Sequence, residues 1–407
     1  MDIREEALKL RRKYHGLLEI RSKTPLTTRQ DLSIIYTPGV AEPCKDIKVN
    51  PDLSFELTCR GNMVGIVTDG TRVLGLGDIG PAAAMPVMEG KALLFKTFGD
   101  VDAIPICLDA KDPEKFIDMV KRLEPTFGGI NLEDISSPKC YDIEDTLIKE
   151  MNIPVFHDDQ HGTAIAALAT ILGGLRLVQK DLKTARIVMN GAGAAGLAIG
   201  RLLVSAGAKN LIMVDIQGAL YDGMEGLNRI QAQLAKNTNP TKQLGNLAEI
   251  AKGADVLIGA SGPGLFTKEI VGSLAKDSIV LGMANPVPEI MYPEAKEAGA
   301  RVVGTGRSDA PNQANNVTVF PGLFRGALDV RARRITDEMK LAAAYAIAGL
   351  MPEKDLRDDF VVVDAFDPRV APAVAAAVAK VAMETDVARI KIDPEVVRER
   401  AAARIGR

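Results

Sequence analysis

Cysteine is scarce. Four occur in 407 residues, at Cys44, Cys59, Cys107 and Cys140, and nowhere do two of them form a C-x-x-C pair. They are too few to staple a secreted fold, so buried free thiols without chemistry are the expectation. Long apolar runs are also missing: no uninterrupted stretch reaches membrane-spanning length, and the N-terminus "MDIREEALKLRRKYHG" is charged from its second residue, unlike a signal peptide. A cytoplasmic location and no membrane partner follow as expectations. Nor is there an excess of one charge. The formal net charge is −3 with Lys and Arg spread along the chain, which leaves no basic face for DNA or RNA and no acidic tail. Internal repeats and low-complexity linkers are absent too. What remains, 47% hydrophobic and 25% charged residues over this length, is the make-up of a soluble globular protein of two or three domains.

The segment to about Glu19 reads as a helix, and "RSKTPLTTRQDLSIIYTPGVAEPCKDIKVNP" reads as a long structured loop of the kind that carries function. "MVGIVTDGTRVLGLGDIG" has two β-rich runs around Asp69-Gly70, a hairpin signal. From Pro86 onward helix-like and strand-like stretches alternate through "DAIPICLD", "GGINLED" and "IPVFHDD", which predicts a parallel sheet covered by helices. After the Ala-rich helix "TAIAALATILGGLRLVQ", the runs "ARIVMN", "NLIMVD", "ADVLIGA", "SIVLGMA" and "ARVVGTG" predict a second parallel sheet, and the chain beyond Pro321 is mostly helical. The fold class is therefore α/β: a parallel-sheet N-terminal catalytic domain over 1–160, a doubly wound dinucleotide-binding domain over 161–390, and a C-terminal helix over 391–407. The helices after about 316 are candidates to pack back on the first domain.

In "ARIVMNGAGAAGLAIG", Gly191, Gly193 and Gly196, with Ala192, Ala194 and Ala195 between them, follow an apolar strand and open a helix. Such glycines permit a tight turn and let a diphosphate approach backbone amides at a helix N-terminus. The next strand ends in Asp215, where a carboxylate can hold both ribose hydroxyls and repel a 2′-phosphate. Strand, glycines, helix, second strand and acid together point to NAD, and "IQGALYDG" supplies no arginine for NADP.

"IPVFHDDQHGTA" holds His157 and His161 four apart, the spacing of a helical zinc protease core. Here the first histidine ends a predicted strand and the second precedes Gly162 at a helix start, so the pair straddles a turn and zinc loses its geometry. The acids fit better. Asp158 and Asp159 end one strand and Glu133 and Asp134 end another, and in a parallel sheet those ends line the edge where ligands bind. So many carboxylates repel one another unless a cation sits among them, and all-oxygen ligation suits magnesium or manganese. Three ligands, with substrate and water completing the shell, make an open catalytic site.

With "YTPGVAEPC", "VTDGTRVLGLGDIG", "MEGKALLFK", "NLEDIS", "HDDQHGTA", "GAGAAG", "ANPVPE" and "NNVTVFPG" in this order, the sequence resembles the malic enzyme family over nearly its whole length, in the size of the short bacterial and archaeal type. The resemblance implies oxidative decarboxylation of L-malate to pyruvate and carbon dioxide with NAD or NADP and a divalent cation. It implies Tyr36 as general acid, Lys91 as general base with Asp158 as its partner, and Glu133, Asp134 and Asp159 as metal ligands. Arg72, Lys91, Asn285 and Asn316 would hold malate, while Thr163, Ser261 and Asn285 would contact cofactor.

The chemistry suits these groups. A base can take the hydroxyl proton of malate as the carbonyl forms, but Lys91 can do so only if burial or neighbouring cations depress its pKa. Tyr36 can return a proton to the enol through its phenol, and the planar fork of Arg72 suits a carboxylate. Two rivals remain: a malolactic-type reaction in which lactate leaves, and a non-catalytic dinucleotide-binding or redox-sensing protein, which would have lost its base or ligands. An N-terminal helix and long loop ahead of the first sheet suit a symmetric homodimer.

Overall fold

The computed structural model describes residues 3–73 and 75–405. Two sheets organise the chain. The first has the order β2-β1-β3-β4, from β1 (Met63–Thr68), β2 (Asp102–Cys107), β3 (Gly129–Leu132) and β4 (Val155–His157), all parallel. The second has the order β10-β9-β8-β5-β6-β7, from β5 (Arg186–Asn190), β6 (Asn210–Asp215), β7 (Gly218–Ala219), β8 (Val256–Gly259), β9 (Ile279–Gly282) and β10 (Val302–Thr305). Only β7, a two-residue edge missed in the sequence, is antiparallel. The strands β3, β4, β8, β9 and β10 are buried at every position, as expected when helices cover both faces of a parallel sheet.

The helix Asp158–Leu177 links the two sheets, so the expected limit at 160/161 falls in its first turn. The buried helices Phe320–Asp329 and Val370–Glu384 return towards the first sheet: Phe320 packs tilted and Phe324 edge-on against Phe95, at 4.6 and 5.4 Å between ring centroids, and Phe324 meets Phe156 edge-on at 5.9 Å. Burying four such rings is worth several kcal/mol and fixes the helix Gly80–Gly99, which carries Phe95 and Lys91, against the C-terminal helices. Among the described residues no helix is long and apolar enough to cross a membrane.

Four expectations change. The hairpin at Asp69-Gly70 does not form: β2 and β3 already occupy both edges of β1, so the chain cannot pair back on it. Instead Asp69 is fully buried, its carboxylate accepts from the Thr71 hydroxyl at 2.6 Å and pairs with Lys139, and Val73 bridges Gly77 in a tight loop. The "long loop" contains two helices, Arg29–Ile35 and Ala41–Val49; Thr28 and Asp31 form a capping box at the first, so residues read as loop-formers are helix starters. The first helix stops at Tyr14 rather than near Glu19, because His15 and Gly16 take positive φ (54° and 112°). Only Cys140 of the four thiols is buried, while Cys44 and Cys59 lie exposed on the N-terminal arm.

Candidate active site

Register builds the acidic crevice. Val67 pairs with Leu132 and Leu132 with His157, so the residues that follow, Glu133 and Asp158, emerge side by side at the carboxyl ends of β3 and β4. Asp134 turns back with φ +54°, and its N–H donates to the Asp159 carboxylate at 2.8 Å. One carboxylate oxygen each from Glu133, Asp134 and Asp159 lie within 4.8 Å of one another.

Lys91 enters from the helix Gly80–Gly99. Its Nζ donates to Glu133 Oε1 at 2.5 Å and to Asp158 Oδ2, and lies 4.7 Å above the Phe320 ring. Asn316 donates its amide to the same Asp158 oxygen. Gly162 is required beside them, since a Cβ there would fall 1.9 Å from Asp158 Oδ1. Burial raises the Glu133 and Asp158 carboxyls to about 7, with Lys91 opposing and the other carboxylates assisting. Desolvation and the charge of Asp158 push Asp159 up as well. Acids held this close with raised pKa values are what a divalent cation relieves, and an all-oxygen donor set fits a hard ion.

The condition set for Lys91 as a base, a lowered pKa, is not met by the side chains of this chain alone. Burial does pull its pKa down, but Asp158, Glu133 and Asp159 together outweigh burial and hold it above the ordinary lysine value.

Arg72 joins the crevice through its backbone, donating to the Asp134 carbonyl at 3.0 Å, and its guanidinium is near enough to favour the charged form of Asp159. Asn285, on the loop after β9, faces that segment from the other side: a Cβ on Gly75 would meet Pro286 Cδ at 2.9 Å and the Asn285 carbonyl at 3.3 Å. Thr163 is half-buried one turn along the helix from Asp159 and makes no side-chain hydrogen bond among the described residues. Tyr36 is not brought into the crevice in the single chain. It ends the helix Arg29–Ile35 with 66% of its surface exposed, and its phenol bonds to no described residue.

The two histidines are separated in role as well as in element. His157 is fully buried on β4, and burial lowers it to about 4. His161 bonds through Nε2 to Glu144 at 3.0 Å. Glu144, which sequence reasoning missed, also accepts from the His157 N–H and the Gln160 amide, both at 3.0 Å. It thereby clamps both sides of the Asp158-Asp159 turn. Burial raises its carboxyl, but His161 and Lys340 reverse that and hold it near 2.

At the second sheet, Gly191 takes φ +109° under the Ala260 carbonyl, while a Cβ on Gly193 would meet nothing within 4 Å. The helix Ala194–Ser205 begins there without a side-chain cap, leaving amides and space for a diphosphate. Ala192 is buried, and its carbonyl accepts from the Gln231 amide, which also donates to Asp215 Oδ2 at 3.3 Å. Ala195 and Gly196 continue the first turn. Ser261 is held by Glu289, a fully buried acid that accepts from the N–H groups of Ser261 (2.8 Å) and Ala284 (3.0 Å). Glu289 joins the Ser261 and Asn285 loops; its motif "ANPVPE" was visible, its partners were not.

Comparison with known proteins gives the family. The malic enzyme N-terminal domain matches residues 15–148, and the malic enzyme NAD-binding domain matches 160–383. The chain belongs to the malic enzyme family. It is 56% identical over 401 residues to the bifunctional malic/malolactic enzyme of Bacillus subtilis, covering 98% of both chains. It is 52% identical to the NAD-dependent malic enzyme of Geobacillus stearothermophilus, covering 92% of this chain and 78% of that one. The crystal structure of malic enzyme from Pyrococcus horikoshii superposes with a TM-score of 0.94 at 47% identity, over 99% of this chain and 96% of that one.

Proposed function

We propose that this malic enzyme family member converts L-malate and NAD or NADP to pyruvate, carbon dioxide and reduced cofactor. The observation that carries the proposal is the in-register meeting of Glu133, Asp134 and Asp159 beside the buried Lys91. Those three carboxylates would hold magnesium or manganese. When bound, the cation would lower the pKa of the substrate hydroxyl and of Lys91 and offset developing negative charge, and the dinucleotide would supply the hydride acceptor.

The chain's own groups do the rest. Arg72 binds a malate carboxylate, and Asn285 and Asn316 orient the substrate. Lys91 accepts the proton of the C2 hydroxyl and shares it with Asp158. The C3–C4 bond breaks as carbon dioxide leaves, and Tyr36 donates its phenolic proton to C3. The loop from Gly191 to Gly196, with Asp215, Thr163, Ser261 and Asn285, holds the dinucleotide, and Asp215 favours NAD.

Tyr36 reaches this work from an arm that suits a homodimer. Of 25 exposed large apolar side chains among the described residues, 14 lie in the first 57 positions, including Leu32, Ile34, Ile35 and Val40 around Tyr36. Such a patch fits a self-complementary interface, through which one protomer's Tyr36 would enter its partner's crevice.

The test is L-malate with NAD or NADP, with and without manganese, following reduced cofactor and pyruvate. Metal-dependent stoichiometric formation of both supports the proposal, and no turnover with either cofactor refutes it. Likeness to a bifunctional malic/malolactic enzyme favours a second outcome in the same assay: some lactate, with reduced cofactor short of product.

A further inference from the structure

A cavity of about 540 Å³ opens between the N-terminal arm, the end of the helix Phe320–Asp329 and the C-terminal helix Pro394–Arg404. We propose that it binds a small polyanion bearing phosphate or carboxylate groups, at a site separate from the malate crevice.

Its charge is one-sided: Lys23, Arg325, Arg331, Arg400 and Arg404 line it against the acids Asp100 and Asp329. Both acids are already engaged, Asp329 by Arg325 and Asp100 by Lys96, each at 2.6 Å. Arg331 is engaged by Glu56 at 2.7 Å. Arg400 and Arg404 are not. They stand four apart on one helix face, and among the described residues neither has a carboxylate within 4.0 Å or donates a hydrogen bond. They therefore cap no helix end and neutralise no acid.

The second observation is Arg325, which is 3% exposed and lines the cavity. Its Nη atoms reach Asn62 and Asp329, both at 2.6 Å, while its Nε and the Oδ2 of Asp329 are both buried without a partner. An anion in the cavity would relieve the repulsion between Arg325 and Arg404. Phe55, Ile390 and Ile392 complete the wall, so the site suits a metabolite with an apolar part as well as charge. Asp100 follows Lys91 by nine residues at the end of its helix, and Asp329 follows Phe320 likewise, so these two lining residues lie about 13 Å along the helix axes from Lys91 and Phe320.

The probe is tripolyphosphate, titrated calorimetrically into the full chain without divalent metal and with saturating NAD, which occupies the glycine loop. Citrate, in a parallel arm, tells a carboxylate ligand from a phosphate one. We expect saturable binding of at least one anion, weakened at least tenfold by Arg400→Ala with Arg404→Ala and restored in part by the two lysine replacements. NAD affinity of the alanine variant should be unchanged, which reports an intact fold. No saturable heat with either anion, as when a partner copy fills the cavity, overturns the proposal. Equal affinity in wild type and the alanine variant does the same. The measurement needs no turnover, so its failure leaves the malate reaction untouched.

Discussion

Lys91 and Tyr36, the two residues proposed to move protons, sit in opposite surroundings. Lys91 is 7% exposed, fixed by two carboxylates and the Phe320 ring, on a helix whose Phe95, one turn along the same face, packs against Phe320 and Phe324. Tyr36 is 66% exposed on an arm whose four helices bury no residue. The base end of the site is over-determined within one chain, whereas the acid end has no packing to position it. An arrangement of this kind couples chemistry to association: metal, base and cofactor loops can be preformed in a protomer that still awaits its proton donor.

The comparison breaks most visibly through substitution. Lys91→Ala removes the proton acceptor and strands two buried carboxylates, so kcat should fall about 10²–10⁴-fold and stability by about 3–5 kcal/mol. Tyr36→Phe should cost a similar factor in kcat with a urea midpoint shifted by no more than about 0.5 kcal/mol equivalent. Equal destabilisation by the two changes would erase the distinction. Mixing the two inactive variants sharpens it: if Tyr36 acts across the interface, mixed dimers hold one intact site each, and about a quarter of wild-type activity should return. No recovery after subunit exchange would place acid and base in one chain.

Next in size is the clamp. Glu144→Gln keeps shape but loses a charge that three donors share, so stability should drop by about 1–3 kcal/mol and the KM for malate should rise as the Asp158-Asp159 turn loosens. An unchanged KM would mean that Glu144 supports the fold alone. Titration gives a further test. Glu133 is raised to about 7 in the ion-free chain, so below that pH a divalent ion must displace its proton. Manganese affinity should therefore weaken as pH falls from 8 to 6, by up to about tenfold per unit below 7; calorimetry at the two pH values checks it, and equal affinities would refute it.

Both sheets and the carboxylate crevice were legible because they rest on local pattern: apolar runs set the strands, and acids at their carboxyl ends inherit alignment from parallel pairing. The clamps were not legible. Glu144 lies mid-helix and finds its partners 13 to 17 residues on, and Glu289 serves two loops through backbone N–H groups that no side-chain motif encodes. The direction of the Lys91 pKa was not legible for a related reason: the three carboxylates that decide its sign arrive from other strands. The hairpin failed likewise, since nothing in "TDGT" tells that β1 is already flanked on both sides.

Cofactor choice gives the smallest expected effect and tests whether the second sheet is as firmly set as the first. Asp215 ends β6 with one carboxylate oxygen accepting from the Ile216 N–H at 2.9 Å and the other from Gln231 at 3.3 Å. Held so, it can meet a ribose diol and repel a 2′-phosphate, but it remains half-exposed, so its charge is screened by solvent in a way that of Glu133 is not. Asp215→Asn keeps acceptor geometry and removes the charge. The ratio of kcat/KM for NAD over NADP should therefore fall by about tenfold, roughly 1.4 kcal/mol, with manganese affinity unchanged because the two sheets bind their ligands through separate strand ends. A ratio that does not move would transfer specificity to residues beyond β6, and a change in manganese affinity would show that the two strand edges are not independent.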